Sequence, residues 1–162
     1  VTTALVLIDL MPRIIALELA PHRGEDVLDR CRRLAAVFRA QGRPVVQVRV
    51  ERPGVTEQPP GSDFAEGLVE PGDVVVVKRT VGAFHGTDLH EQLRRRGVDT
   101  VVLAGLVTTM GVESTARAAS DHGYELEFVA DAMSGFAADE HEFTVERIFP
   151  RFGAVRRADD YR

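Results

Sequence analysis

A chain of 162 residues with 44% hydrophobic and 28% charged content is long enough to bury a full core and has the balance of a globular protein. Its formal net charge of −5 argues against nucleic acid or an anionic membrane surface as a partner. The one cysteine, Cys31, excludes an internal disulfide framework, and no apolar run approaches the ~18 residues of a membrane-spanning helix.

In chain order, Ala4 to Ile8 is apolar throughout, too short for a helix, and ends at Asp9. A short run without alternation predicts a strand buried on both faces. Met11 to Pro21 reads as a loop or short helix, with Pro12 near its start. Asp26 to Gln41 reads as an amphipathic helix whose apolar stripe carries Val27, Cys31, Leu34 and Phe38, stopped by Gly42. That stripe makes Cys31 a small buried hydrophobe rather than a nucleophile. Pro44 to Val50 is a second strand. The Pro- and Gly-rich segment Glu51 to Asp63 is a long loop of the kind that often carries function.

A third buried strand, Val74 to Val77, ends at Lys78. Arg79 to Gly86 is a loop with an exposed Phe84, and Thr87 can cap a helix from Asp88 to Arg96. Val101 to Ala104 is a fourth strand that Gly105 should end. Thr108 or Thr109 should cap the helix that follows, which runs to Gly123. Leu126 to Ala130 is a fifth strand ending at Asp131, His141 to Phe149 a last helix, and Ala154–Val155 a short edge strand. Strand and helix alternate without a composition break. The prediction is one α/β domain over residues 1–162: a three-layer, doubly wound, Rossmann-like sheet of about six mainly parallel strands, with helices on both faces.

In such a sheet the carboxyl ends of the strands line one crevice. Asp9, Lys78 and the segment Gly105–Gly111 all sit at such ends, so the topology predicts that they meet. A carboxylate and an ammonium there form a polarised pair, with Asp9 able to shuttle a proton and Lys78 to stabilise negative charge. Backbone N–H groups at the start of the helix near Thr109 would face the same crevice. Histidines at metal-ligand spacing, a GxGxxG fingerprint and a P-loop are all absent from the sequence, so no metal or nucleotide cofactor is expected.

On these residues the chain resembles the isochorismatase-like hydrolases, also called the cysteine hydrolase family. The opening strand with Asp9, the strand VVVVK with Lys78, the segment GAFHGTDL, and the run VVLAGLVTTMGVESTARAASDHGY carry the resemblance, which covers nearly the whole chain. It implies a triad of Asp, Lys and Cys, in which Asp9 is the general acid/base and Lys78 stabilises charge. The cysteine's place falls on Gly111, so no thioester can form. Thr108, Thr109 and Ser114 are the hydroxyls near enough in sequence to be weighed as substitutes.

The resemblance also implies a cis peptide at Val107–Thr108 and homo-oligomers, either dimer or tetramer. True isochorismatases, within that family, hydrolyse a vinyl ether without the cysteine. The expected function is therefore non-covalent hydrolysis of an isochorismate-like vinyl ether in a cytoplasmic enzyme. The alternatives are a water-mediated amide hydrolase and a degenerate metabolite-binding member. Arg49 is the expected partner of a substrate carboxylate, and Phe84, Val107, Thr108 and Met110 are the expected pocket walls. Met11 stands where many members carry Gln, and the Asp-x-His metal pattern of nicotinamidases is absent.

Overall fold

The computed structural model describes residues 1–162. Its centre is a six-stranded sheet in the order β3-β2-β1-β4-β5-β6, parallel throughout. The strands are β1 (Thr3–Ile8), β2 (Val45–Val50), β3 (Val74–Lys78), β4 (Thr100–Leu106), β5 (Glu125–Ser134) and β6 (Ala154–Arg156). The helices are α1 (Pro12–Ile15), α2 (Gly24–Ala40), α3 (Leu89–Arg95), α4 (Glu113–Asp121) and α5 (Ala138–Phe143). No helix is long and apolar enough to cross a membrane.

The unbroken apolar runs follow from burial of both sheet faces. In β1, Ala4, Val6 and Ile8 join one core with Leu89 and Leu93 of α3 and Ala116 and Ala119 of α4. Leu5 and Leu7 point the other way, into a second core with Val27, Cys31, Leu34 and Phe38 of α2. Cys31 is fully buried, and burial pushes its thiol pKa far up. The predicted stripe on α2 is thus the face it buries.

Several boundaries differ from expectation. Gly105 does not end β4. It lies within the strand opposite Ile8, and a Cβ on it would sit 2.3 Å from the Ile8 carbonyl oxygen. Glycine is needed there so that β1 and β4 can approach, and its φ of +115° is open to few other residues. β5 continues past Asp131 to Ser134, its pairing with β4 shifting register between Leu103 and Gly105. The last helix starts earlier and is shorter than predicted. α5 passes into a wider π turn, Thr144–Ile148, before a 3-10 turn at Phe149–Arg151.

Candidate active site

The chain lays down β1, β2 and β3 towards one edge, then returns to the middle and lays down β4, β5 and β6 towards the other. The order reverses between β1 and β4, and a crevice opens there beyond the strand ends. Asp9 follows β1 directly. Its φ of 52° makes it the non-glycine residue with positive φ in this chain. That left-handed conformation is more accessible to Asp than to most side chains, but it still costs about 1–3 kcal/mol. Two backbone hydrogen bonds hold it: the Asp9 N–H donates to Val48 O at 2.9 Å, and Met11 N–H donates to Asp9 O at 2.9 Å.

Lys78 closes β3, two strands away, or roughly 10 Å at the ~4.8 Å spacing of a sheet. Only a long side chain bridges that gap across the end of β2. Lys78 Nζ lies 3.0 Å from Asp9 Oδ2 and 3.2 Å from the Thr80 carbonyl oxygen, and the side chain is 2% exposed. Asp9 Oδ1 is buried without a hydrogen-bond partner. Burial raises the Asp9 pKa above the ordinary carboxylate value; the charge and hydrogen bond of Lys78 and the charge of Arg13 oppose this without offsetting it. The pair therefore presents a carboxyl group that holds a proton more readily than a free one, with one oxygen uncommitted.

β4 delivers the third part of the site. The cis peptide lies at Leu106–Val107, one residue before the position expected at Val107–Thr108. A π turn, Thr108–Val112, then leads into α4. Neither threonine caps it: the N-cap residue is Val107, with no side-chain cap bond. The Met110 and Val112 N–H groups both donate to the Val107 carbonyl, so these two are not free for an oxyanion. The buried Thr108 instead has its Oγ1 2.7 Å from His141 Nδ1, which ties the turn to α5. Burial, with the nearby charge of His22, pushes the His141 pKa down to about 4 and keeps the ring neutral. Sequence reading missed this histidine because its partner lies 33 residues away.

A cavity of about 380 Å³ opens on Asp9, Lys78, Val107, Met110 and Gly111. This volume suits a small metabolite. A Cβ at Gly111 would lie 3.5 Å from Asp9 Oδ2 and 2.8 Å from Ile8 Cγ2. Five of the residues weighed for the site, Arg49, Phe84, Thr108, Thr109 and Ser114, do not line this cavity. Arg49 pairs with Glu51 at 2.9 Å, its guanidinium 5.9 Å from the Phe64 ring centre. Phe84 is buried, against expectation, among His90, His122 and Tyr124. Thr108 faces His141, and Ser114 Oγ packs 2.7 Å from where a Cβ on Gly82 would stand. The cations that line the cavity are Lys78, Arg79 and, on α1, Arg13. The signal for Arg13 in the sequence was local: Pro12 favours the first position of a helix, which puts Arg13 in a helical turn four residues after Asp9. No three His, Cys, Asp or Glu side chains gather as a metal site would require.

Comparison with known proteins decides the family. An isochorismatase domain matches residues 3–160. This chain belongs to the isochorismatase family of hydrolases. The uncharacterized isochorismatase family protein YecD of Escherichia coli O157:H7 is 39% identical to it over 184 residues, covering 98% of this chain and 94% of the relative. The solved structure of an isochorismatase family protein from Burkholderia thailandensis superposes with a TM-score of 0.92 at 42% identity, covering 99% of this chain and 93% of the other. N-carbamoylsarcosine amidase from Thermoplasma acidophilum superposes at 0.86 with 29% identity, covering 98% of each chain.

Proposed function

We propose that this isochorismatase-family hydrolase works without a covalent intermediate, cleaving an isochorismate-like vinyl ether with Asp9 as general acid and water as nucleophile. The observation that carries this reading is the buried Asp9 carboxyl, its pKa raised, whose Oδ2 lies 3.5 Å from where a Cβ on Gly111 would stand, with no side chain there to intervene. Vinyl ether hydrolysis starts by protonating carbon, a step that a carboxyl with a raised pKa serves better than an ordinary one. Asp9 donates that proton to the terminal enol carbon, and the C=C electron pair forms the new C–H bond. The adjacent carbon becomes an oxocarbenium ion, stabilised by its ether oxygen. Water adds to it and returns a proton to Asp9. The hemiketal then collapses to pyruvate and a ring alcohol. Lys78 holds the carboxyl in place and stabilises it in its anionic interval. In this reading Gly111 stands where the resemblance puts the family's cysteine and leaves room for the ring or the water.

The test is pyruvate release from isochorismate by the wild type and by Asp9→Asn. Release by the wild type that disappears in a folded Asp9→Asn protein is the expected result. Ammonia release from small amides, with isochorismate untouched, would establish the second reading, water-mediated amide hydrolysis. The similarity to N-carbamoylsarcosine amidase favours that one. Binding without turnover of either substrate class would leave the degenerate member.

The proposed partner is a small molecule, and the proposed assembly is a homodimer or homotetramer. The exposed Leu17, Val81, Met110 and Phe136 around the cavity mouth support the assembly. Light scattering that returned a monomer would refute it.

A further inference from the structure

We propose that Arg13 is the residue through which this cavity selects an anionic substrate, receiving a carboxylate on its two Nη groups. The inference rests on the proposed function only in taking this cavity as the substrate site.

The other cations lining the cavity have carboxylate partners. Lys78 is committed to Asp9 at 3.0 Å. Arg79 pairs at 3.0 Å with Glu51, a carboxylate that it shares with Arg49 outside the cavity lining. Arg13 lines the same cavity and has no carboxylate partner, since none of the chain's ion pairs includes it. Asp9 is the one acidic residue in the lining. The cavity therefore holds a guanidinium with no ion-pair partner in the protein.

That guanidinium is also held in place. Arg13 Nε donates to Ser62 Oγ at 3.0 Å, and Ser62 Oγ in turn donates to the Pro59 carbonyl at 2.6 Å. The backbone is fixed by the same loop: Arg13 N–H donates to Gly61 O at 3.1 Å, and Ala65 N–H to Leu10 O at 2.9 Å. The long Pro- and Gly-rich loop after β2 thus acts as a brace for Arg13. With Nε committed to the brace, the Nη donors remain in their planar fork, the geometry that matches a carboxylate. Fixing the side chain beforehand lowers the ordering cost of binding. Substrate binding also couples to Asp9. The Arg13 charge is one of the influences that lower the Asp9 pKa, so a carboxylate that neutralises Arg13 pushes Asp9 further towards its protonated, proton-donating form.

The test is calorimetric binding of benzoate and of its neutral counterpart benzamide to the wild type, Arg13→Met, Arg13→Lys and Ser62→Ala. The wild type should prefer benzoate. Arg13→Met should lose about tenfold or more in benzoate affinity, with benzamide unchanged. Arg13→Lys should keep part of the preference, and Ser62→Ala should weaken benzoate by less than Arg13→Met. Equal affinity of the wild type for the two probes, no binding of benzoate, or an Arg13→Met protein that still prefers benzoate would each overturn the inference. Pyruvate release plays no part in this assay, so failure of the vinyl ether chemistry is read separately.

Discussion

Restoring a thiol at position 111 exposes how closely the cavity floor is packed. In Gly111→Cys the new Cβ would stand 2.8 Å from Ile8 Cγ2, far inside the ~3.5–4.0 Å optimum for two carbons. Ile8 is fully buried in β1 between β2 and β4. Its branch at Cβ leaves few χ1 rotamers, so it cannot swing aside. Overpacking of this kind costs about 1–3 kcal/mol. Replacing a glycine also removes unfolded-state freedom, a gain of about 0.4–1 kcal/mol. The contact wins, for a net loss of about 1–2 kcal/mol, or roughly 2–8 °C in Tm for a domain of this size. Ile8→Leu moves the branch from Cβ to Cγ and deletes the offending methyl, at a cost of its own under ~1.5 kcal/mol. Urea denaturation of the wild type, both single variants and the double variant gives the coupling energy. The double variant should be more stable than the sum of the singles by about 0.5 kcal/mol or more. A Gly111→Cys protein as stable as the wild type, or a strictly additive double variant, would refute the packing argument. In the double variant iodoacetamide should label the introduced thiol and spare Cys31, which is fully buried.

Three further outcomes follow from the geometry. Asp9→Ala strands a buried Lys78 ammonium and should cost about 3–5 kcal/mol in chemical denaturation, with Asp9→Ala/Lys78→Met recovering part of it; a loss under ~1 kcal/mol would mean the pair is not a buried ion pair. His141 is neutral in the fold with its pKa down at about 4, so the unfolded chain binds the proton more readily. Its contribution to stability is complete above pH 6.5 and is lost as the pH falls towards 4. Asp9, raised by burial, acts in the opposite sense, since the folded state protonates first. The acid-side loss should therefore be clearest in an Asp9→Asn background, and should flatten in His141→Gln; a flat profile before that substitution would contradict the assignment. Phe84→Ala should cost about 3–5 kcal/mol of stability and leave KM unchanged, because the ring packs away from the cavity; a raised KM in a stable variant would return Phe84 to the site.

The residues with the strongest sequence signal were strand ends. Asp9 and Lys78 were legible because apolar runs stop at them and parallel sheets align such stops on one edge. Gly111 was legible from the family's motif. Arg49 and Phe84 misled for one reason: a residue near a strand end or in a loop can face either the crevice or a neighbour, and the local sequence does not say which. Glu51 neutralises Arg49 two residues on, and the aromatic and histidine side chains of α3 and the turn after α4 enclose Phe84. Gly105 misled in a different way. In sequence it resembles a strand stop, but in space it admits the backbone of β1.

The sequence by itself determined the layer architecture, the buried strands and the family, because hydrophobic periodicity and motif spacing are local properties of the chain. Tertiary structure alone decided which charge is free. Lys78, Arg49 and Arg79 find carboxylates that lie 69, 2 and 28 residues away, while Arg13 finds only the Ser62 hydroxyl, 49 residues on. Ion pairing depends on distances of a few ångströms between side chains, most of them remote in sequence, so the unpaired charge appears only once the chain has folded.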